Sequence, residues 1–66
     1  MKIKVPEFNN AEDLKWWVKD QKNPKLTKRF NSNHDYYSGG MSWKRCLEDE
    51  SYHECMCNAF KGEITL

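Results

Sequence analysis

Ser51-Tyr52-His53-Glu54-Cys55-Met56-Cys57-Asn58-Ala59-Phe60-Lys61-Gly62 carries the clearest periodicity in this chain and decides its fold. Tyr52, Cys55, Met56, Ala59 and Phe60 recur at i, i+3, i+4, i+7 and i+8, the apolar stripe of a helix. Ser51 can accept from the amide of Glu54 while Glu54 reaches back to the amide of Ser51. That capping box predicts a helix start at Ser51. Lys61 suits the negative end of the helix dipole, and Gly62 can take the left-handed conformation that stops the helix. Every other element needs this stripe to complete a core.

Immediately upstream, Ser42–Glu50 fits two patterns. As a strand, Met41, Trp43, Arg45 and Leu47 alternate with Ser42, Lys44 and Cys46. As a helix, Ser42 caps and Trp43, Cys46 and Leu47 form a short stripe; Lys44, Arg45, Leu47 and Glu48 favour this reading by propensity. At about 100° per residue this stripe lies opposite the next one, so a break is expected over residues 49–51. Further back, Gly39-Gly40 supplies the positive φ of a tight turn. Lys25–Phe30 reads as a strand with Leu26, Lys28 and Phe30 on one face, Asn31–His34 as loop, and Asp35–Met41 as a strand end plus turn. Asn9 or Asn10 caps a helix whose face is Ala11, Leu14, Trp17, Val18 and Gln21, with Glu12 and Asp13 in its first turn. Trp16 falls at the edge of that face or in solvent. Asn23-Pro24 is expected to close this helix, since the residue before proline avoids helical angles. Lys2–Val5 alternates as an edge strand with Ile3 and Val5 inward, and Glu63–Leu66 can pair beside it.

These elements predict an α+β fold: one domain over residues 1–66, a short antiparallel sheet of three or four strands, and two or three helices on one face. The expected core is Ile3, Val5, Leu14, Trp17, Val18, Leu26, Phe30, Trp43, Leu47, Tyr52, Cys55, Met56, Ala59 and Phe60. An apolar share of 38%, with three each of Trp, Tyr and Phe, places the chain among folded proteins. A core of this size supplies only about 3–5 kcal/mol, so a metal, a partner or self-association would help it. No apolar run approaches the roughly 20 residues of a membrane span, and Met1–Pro6 lacks the apolar centre of a secretory signal. A cytoplasmic setting with reduced thiols is expected, and three cysteines are odd in number, which suits free thiols or ligands over disulfides.

Charge is uneven although the net is +1. Residues 1–30 hold eight Lys/Arg against four Asp/Glu; residues 31–66 hold three against six. A basic face and an acidic face follow if the halves do not interleave.

Three groups of residues carry candidate chemistry. Cys46, His53 and Cys57, with His34 from further upstream, could form a zinc set, because His53 and Cys57 are i, i+4 on a helix. No Cys-x-x-Cys spacing is present, and a helical cysteine is more often a small buried hydrophobe. Lys15, Trp16, Lys19, Lys22, Lys25, Lys28, Arg29 and Phe30 mix cations with rings, a composition that neutralises phosphates and stacks on unpaired bases. The plainer reading is a solvated face with Phe30 in the core. Glu48, Asp49 and Glu50 are either a solvated turn or an acidic patch that docks on a basic surface. No phosphate loop, nucleophile elbow or catalytic carboxylate pair is present, so a non-enzyme is expected.

Tyr and Trp beyond the needs of the stripes, Trp16, Tyr36 and Tyr37 among them, favour a protein-binding module acting as an inhibitor or adaptor of a larger machine. In size and Lys/Asn-rich make-up the chain looks like small proteins that phages encode to disable host machinery, which implies a host cytoplasm. The alternative expectation is a small single-stranded nucleic-acid binder, with or without zinc.

Overall fold

The computed structural model describes every residue, Met1–Leu66. In chain order it runs β1 (Lys2–Val5), α1 (Ala11–Gln21), α2 (Pro24–Ser38), α3 (Trp43–Leu47), α4 (Glu50–Ala59) and β2 (Gly62–Thr65). The α+β class holds, with four helices and a sheet of only two strands. β1 and β2 pair antiparallel, Ile3 opposite Ile64 and Val5 opposite Gly62. Lys2 and Lys4 lie on the wet side while Val5 and Ile64 enter the core. The Lys2 ammonium meets Glu63 at 3.7 Å across the strands, both side chains largely solvated, so this pair adds little.

The largest departure from the sequence reading is α2. Residues 25–30, expected as a strand, and 31–38, expected as loop and strand, form one 15-residue helix. Asn23-Pro24 does not merely close α1; it opens α2. The Asn23 Oδ1 accepts from the amides of Lys25 and Leu26 at 3.0 and 3.3 Å. Pro24 occupies the first helical position, where a missing N–H costs nothing and φ is already correct. α1 itself ends at Lys22, whose left-handed φ of 50° turns the chain within a single residue. Leu26 and Phe30, one turn apart, are buried on the inner side of α2. The alternation of Leu26, Lys28 and Phe30 was misleading, since i and i+4 satisfy both periods.

α3 confirms the helical reading of Trp43–Leu47: the Ser42 Oγ accepts from the Arg45 amide at 3.3 Å. α4 begins one residue before the expected box. Asp49 is its cap, with Oδ1 accepting from Ser51 and Tyr52 at 2.9 and 3.4 Å. The Ser51–Glu54 reciprocal box is therefore not the one that forms; a carboxylate at the positive helix end serves the same purpose. The buried side of α4 is Tyr52, Met56 and Phe60, with Ala59 half-buried. Its centre is Met56, so the buried arc reaches round to His53 and leaves Cys55 exposed, against the expected core position.

The core joins Val5, Ala11, Leu14, Val18, Leu26, Phe30, Cys46, Tyr52, Met56, Phe60 and Ile64. α4 sits at its centre, packed against α1, α2 and α3. Trp17, Trp43, Leu47 and Ile3, expected inside, are half-buried at the margin; Cys46 and Ile64 take interior places instead. Phe8, in the β1–α1 connection, covers Trp17 with ring centroids 6.0 Å apart.

Gly62 joins α4 to β2 with φ of 76°, and a Cβ there would meet no atom within 4 Å. The cost of a side chain is therefore conformational alone. Gly62→Ala should lower unfolding free energy by about 1–2 kcal/mol, read from urea denaturation. An unchanged midpoint would mean that the joint relaxes to negative φ.

Candidate functional site

Of the four proposed zinc ligands, His53 and His34 are hydrogen-bonded to other groups, Cys46 is in the core and Cys57 is half-buried. His53 stands between three helices. Its Nδ1 accepts from the Ala11 amide at 2.8 Å, and its Nε2 lies 2.8 Å from the Leu47 carbonyl. Because an amide can only donate, Nδ1 is unprotonated and the ring proton is on Nε2, donated to Leu47. Ala11 opens α1 and Leu47 ends α3, so one imidazole satisfies one orphan donor and one orphan acceptor of two helix ends. His34, on α2, lies with Nδ1 2.6 Å from the Tyr52 hydroxyl. Burial, with the Cys46 sulfur adding, pushes the Tyr52 hydroxyl far up, so it stays protonated, and the tautomer of the His34 ring sets which of the two groups donates. Cys46 is fully buried; its thiol is pushed up by burial and then by the charge of Asp49. Cys57 is half-buried and pushed up by burial and then by Asp13. Protonated thiols are poor ligands and poor nucleophiles. No three His, Cys, Asp or Glu side chains converge on a common point. Zinc binding by this set would require the His53 imidazole to leave the Ala11 amide or the Leu47 carbonyl, whereas His34 keeps its Nε2 free.

His34, Trp43 and Tyr52 form a ring cluster, with His34 to Trp43 at 5.4 Å and Trp43 edge-on to Tyr52 at 6.1 Å. Lys15 Nζ lies over the outer part of this cluster, 4.4 Å from the Trp43 centroid. The same ammonium is 5.9 Å from the Trp16 ring, and Lys19 Nζ is 5.2 Å from it. Trp16 is 54% exposed. At about 100° per residue it points directly away from the Ala11, Leu14 and Val18 stripe, at the centre of the outward face of α1. The indole thus has two ammonium groups within 6 Å on a helix while about half of it remains in solvent. That arrangement keeps a large ring pre-oriented for an apolar slot.

The basic residues gather on α2. Lys25, Lys28 and Arg29 share its outer face with Ser32 and Tyr36, at helical spacings of three and four. Phe30, grouped with them by sequence, points inward and is removed from any surface role. Trp16 belongs to α1, and Lys22 to the turn between the two helices. Arg29 Nη1 donates to the Thr65 carbonyl at 2.8 Å, which pins the guanidinium across the β2 edge. Lys25, Lys28, Arg29 and Ser32 line an open groove of about 340 Å3 closed by Thr65 and Leu66. Tyr36, 80% exposed, stands next to Tyr37 with centroids 5.0 Å apart. The roles of Ser32 and Tyr36 were legible only once residues 24–38 were known to be helical.

Glu48 and Glu50 are exposed, whereas Asp49 is occupied as the cap of α4. With Met41 and Arg45 they line a wide groove of about 560 Å3. Its walls are charged, and its one basic residue faces the three carboxylates. No helix is long and apolar enough to cross a membrane. Comparison with known protein families, with curated proteins and with solved structures finds no match for this chain.

Proposed function

We propose that this chain is a protein-binding module, an inhibitor or adaptor that acts without catalysis and docks through the outward face of α1. The observation that carries this reading is Trp16: a half-exposed indole at the centre of a helix face, with the Lys15 and Lys19 ammonium groups within 6 Å of its ring. Trp16 lies outside the buried core with 54% of its surface in solvent, and tryptophan is among the residues where binding energy concentrates. The fitting partner surface is an apolar slot with carboxylates at its rim, because the two ammonium groups accompany the ring into contact. The setting proposed is a cytoplasm, that of a host cell if the chain is phage-encoded.

The test is capture of partners from nuclease-treated lysate by tagged wild-type protein and by Trp16→Ala. A stoichiometric protein band held by the wild type should weaken by about 2 kcal/mol or more in Trp16→Ala, roughly 30-fold in Kd. The variant's thermal midpoint should stay put, since an exposed side chain contributes little to stability. A partner held equally by both proteins, or bound material that disappears entirely with nuclease, would overturn the reading.

A further inference from the structure

The outer face of α2 has a different chemistry from the Trp16 face, and it stands independently of it. Between Lys22 and His34 the chain has no acidic residue. The first turn of α2 carries Lys25 and no carboxylate, a feature shared with the short α3 and absent from α1 and α4, which begin with Glu12 and Asp13 and with Glu50. Placing cations at the positive end of a helix works against its dipole, and no ion pair relieves them. No carboxylate pairs with them, and the one acidic residue of α2 is Asp35, near its far end.

We propose that this face binds the phosphate backbone of a single-stranded nucleic acid, with Tyr36 stacking on a base. Lys25, Lys28, Arg29 and Ser32 offer donors along one groove, and Arg29 is already oriented by its bond to the Thr65 carbonyl, leaving its other N–H groups to meet phosphate oxygens. From Lys25 to Tyr36 the stripe covers about 16 Å at 1.5 Å per residue, enough for several phosphates and not merely one. An acidic protein would meet the same cations; beside them Tyr36, 80% exposed, adds a ring that stacks on a flat surface. A base supplies that surface whatever its identity, so weak sequence preference is expected. Paired bases present no free face to the ring, so a duplex is the poorer ligand.

Fluorescence anisotropy of the purified chain with labelled oligothymidylate of about twelve nucleotides tests this, beside a duplex of equal length and polyglutamate. Oligothymidylate should bind at about 50 mM salt, with log K falling against log salt at a slope of about −2, as three neutralised phosphates require. Lys25→Glu with Lys28→Glu should weaken binding tenfold or more, and Tyr36→Ala by about fivefold or more. Trp16→Ala should leave it unchanged, which separates this surface from the one on α1. Circular dichroism of each exposed-site variant should match the wild type. Failure to bind oligothymidylate overturns the proposal. So does equal affinity for polyglutamate or duplex, or a Tyr36→Ala protein that binds as the wild type does.

Discussion

His53→Ala should lose about 2–4 kcal/mol of unfolding free energy, measured by urea denaturation. The imidazole bonds the Ala11 amide at the start of α1 and the Leu47 carbonyl at the end of α3, while its own backbone belongs to α4. Truncation therefore strands a donor and an acceptor together, each in a part-buried position where water is a poor replacement. For a core worth only about 3–5 kcal/mol, this is most of the margin. Asn tests the geometry within the same experiment. Its Oδ1 can stand where Nδ1 stood and accept from Ala11, but it cannot reach the Leu47 carbonyl, so His53→Asn should lose about half as much. A chelator should not alter either loss, because both arise from backbone partners. A chelator-dependent difference would return His53 to the role of a metal ligand, and a loss in His53→Ala below about 1 kcal/mol would mean that the three helices do not depend on it.

The same residue illustrates what could be read in the chain beforehand. His53 and Cys57 at i, i+4 look identical whether they bind a metal or whether one of them ties helix ends together. Which role applies depends on what lies opposite, and Ala11 is 42 residues away. Local signals fared better. The Asn10 cap, the Ser42 cap and the Gly39 turn follow from chemistry within a few residues, and each is present; the terminal strands pair as expected, and the α4 stripe holds at Tyr52, Met56 and Phe60 but not at Cys55. α2 failed because two local rules conflicted. The residue before proline resists helical angles, which suggested an ending, yet an Asn-Pro pair is also a cap followed by a favoured first residue. The polar run Asn31–Asn33 then concealed a helix whose stability comes from Leu26 and Phe30 and not from propensity. Mistaking α2 for strand and loop also hid the candidate surface, because Lys25, Lys28, Arg29, Ser32 and Tyr36 align only at helical spacing. Trp16 was legible as a residue outside the stripe; the two lysines that hold it, one at i−1 and one at i+3, follow from the helix once it is drawn.

Phe60→Ala should leave the chain largely unfolded at 25 °C. Phe60 is 1% exposed and sits where α4 hands over to β2, with its ring 5.9 Å from that of Phe30 on α2. It therefore contacts the joint of a helix and a strand as well as the neighbouring helix. Phe-to-Ala changes in cores cost about 3–5 kcal/mol, from lost transfer energy and from the cavity left behind. Larger domains survive that loss; one limited to about 3–5 kcal/mol does not. Far-ultraviolet circular dichroism should show most helical signal gone, and Phe60→Leu, which keeps most of the volume, should remain folded with a lowered midpoint. Trp16→Ala supplies the contrast, since it removes a larger ring from α1 and should move the midpoint hardly at all. If both variants unfold alike, Trp16 is packed and not presented, and the binding role assigned to it fails together with the division between core and surface. If Phe60→Ala folds normally, the ring is not part of the structural centre, and the core must be supported by its other buried side chains, Leu14, Leu26 and Met56 among them. The pair of measurements thus tests one physical claim: Phe60, 1% exposed, holds the fold, and Trp16, 54% exposed, does not.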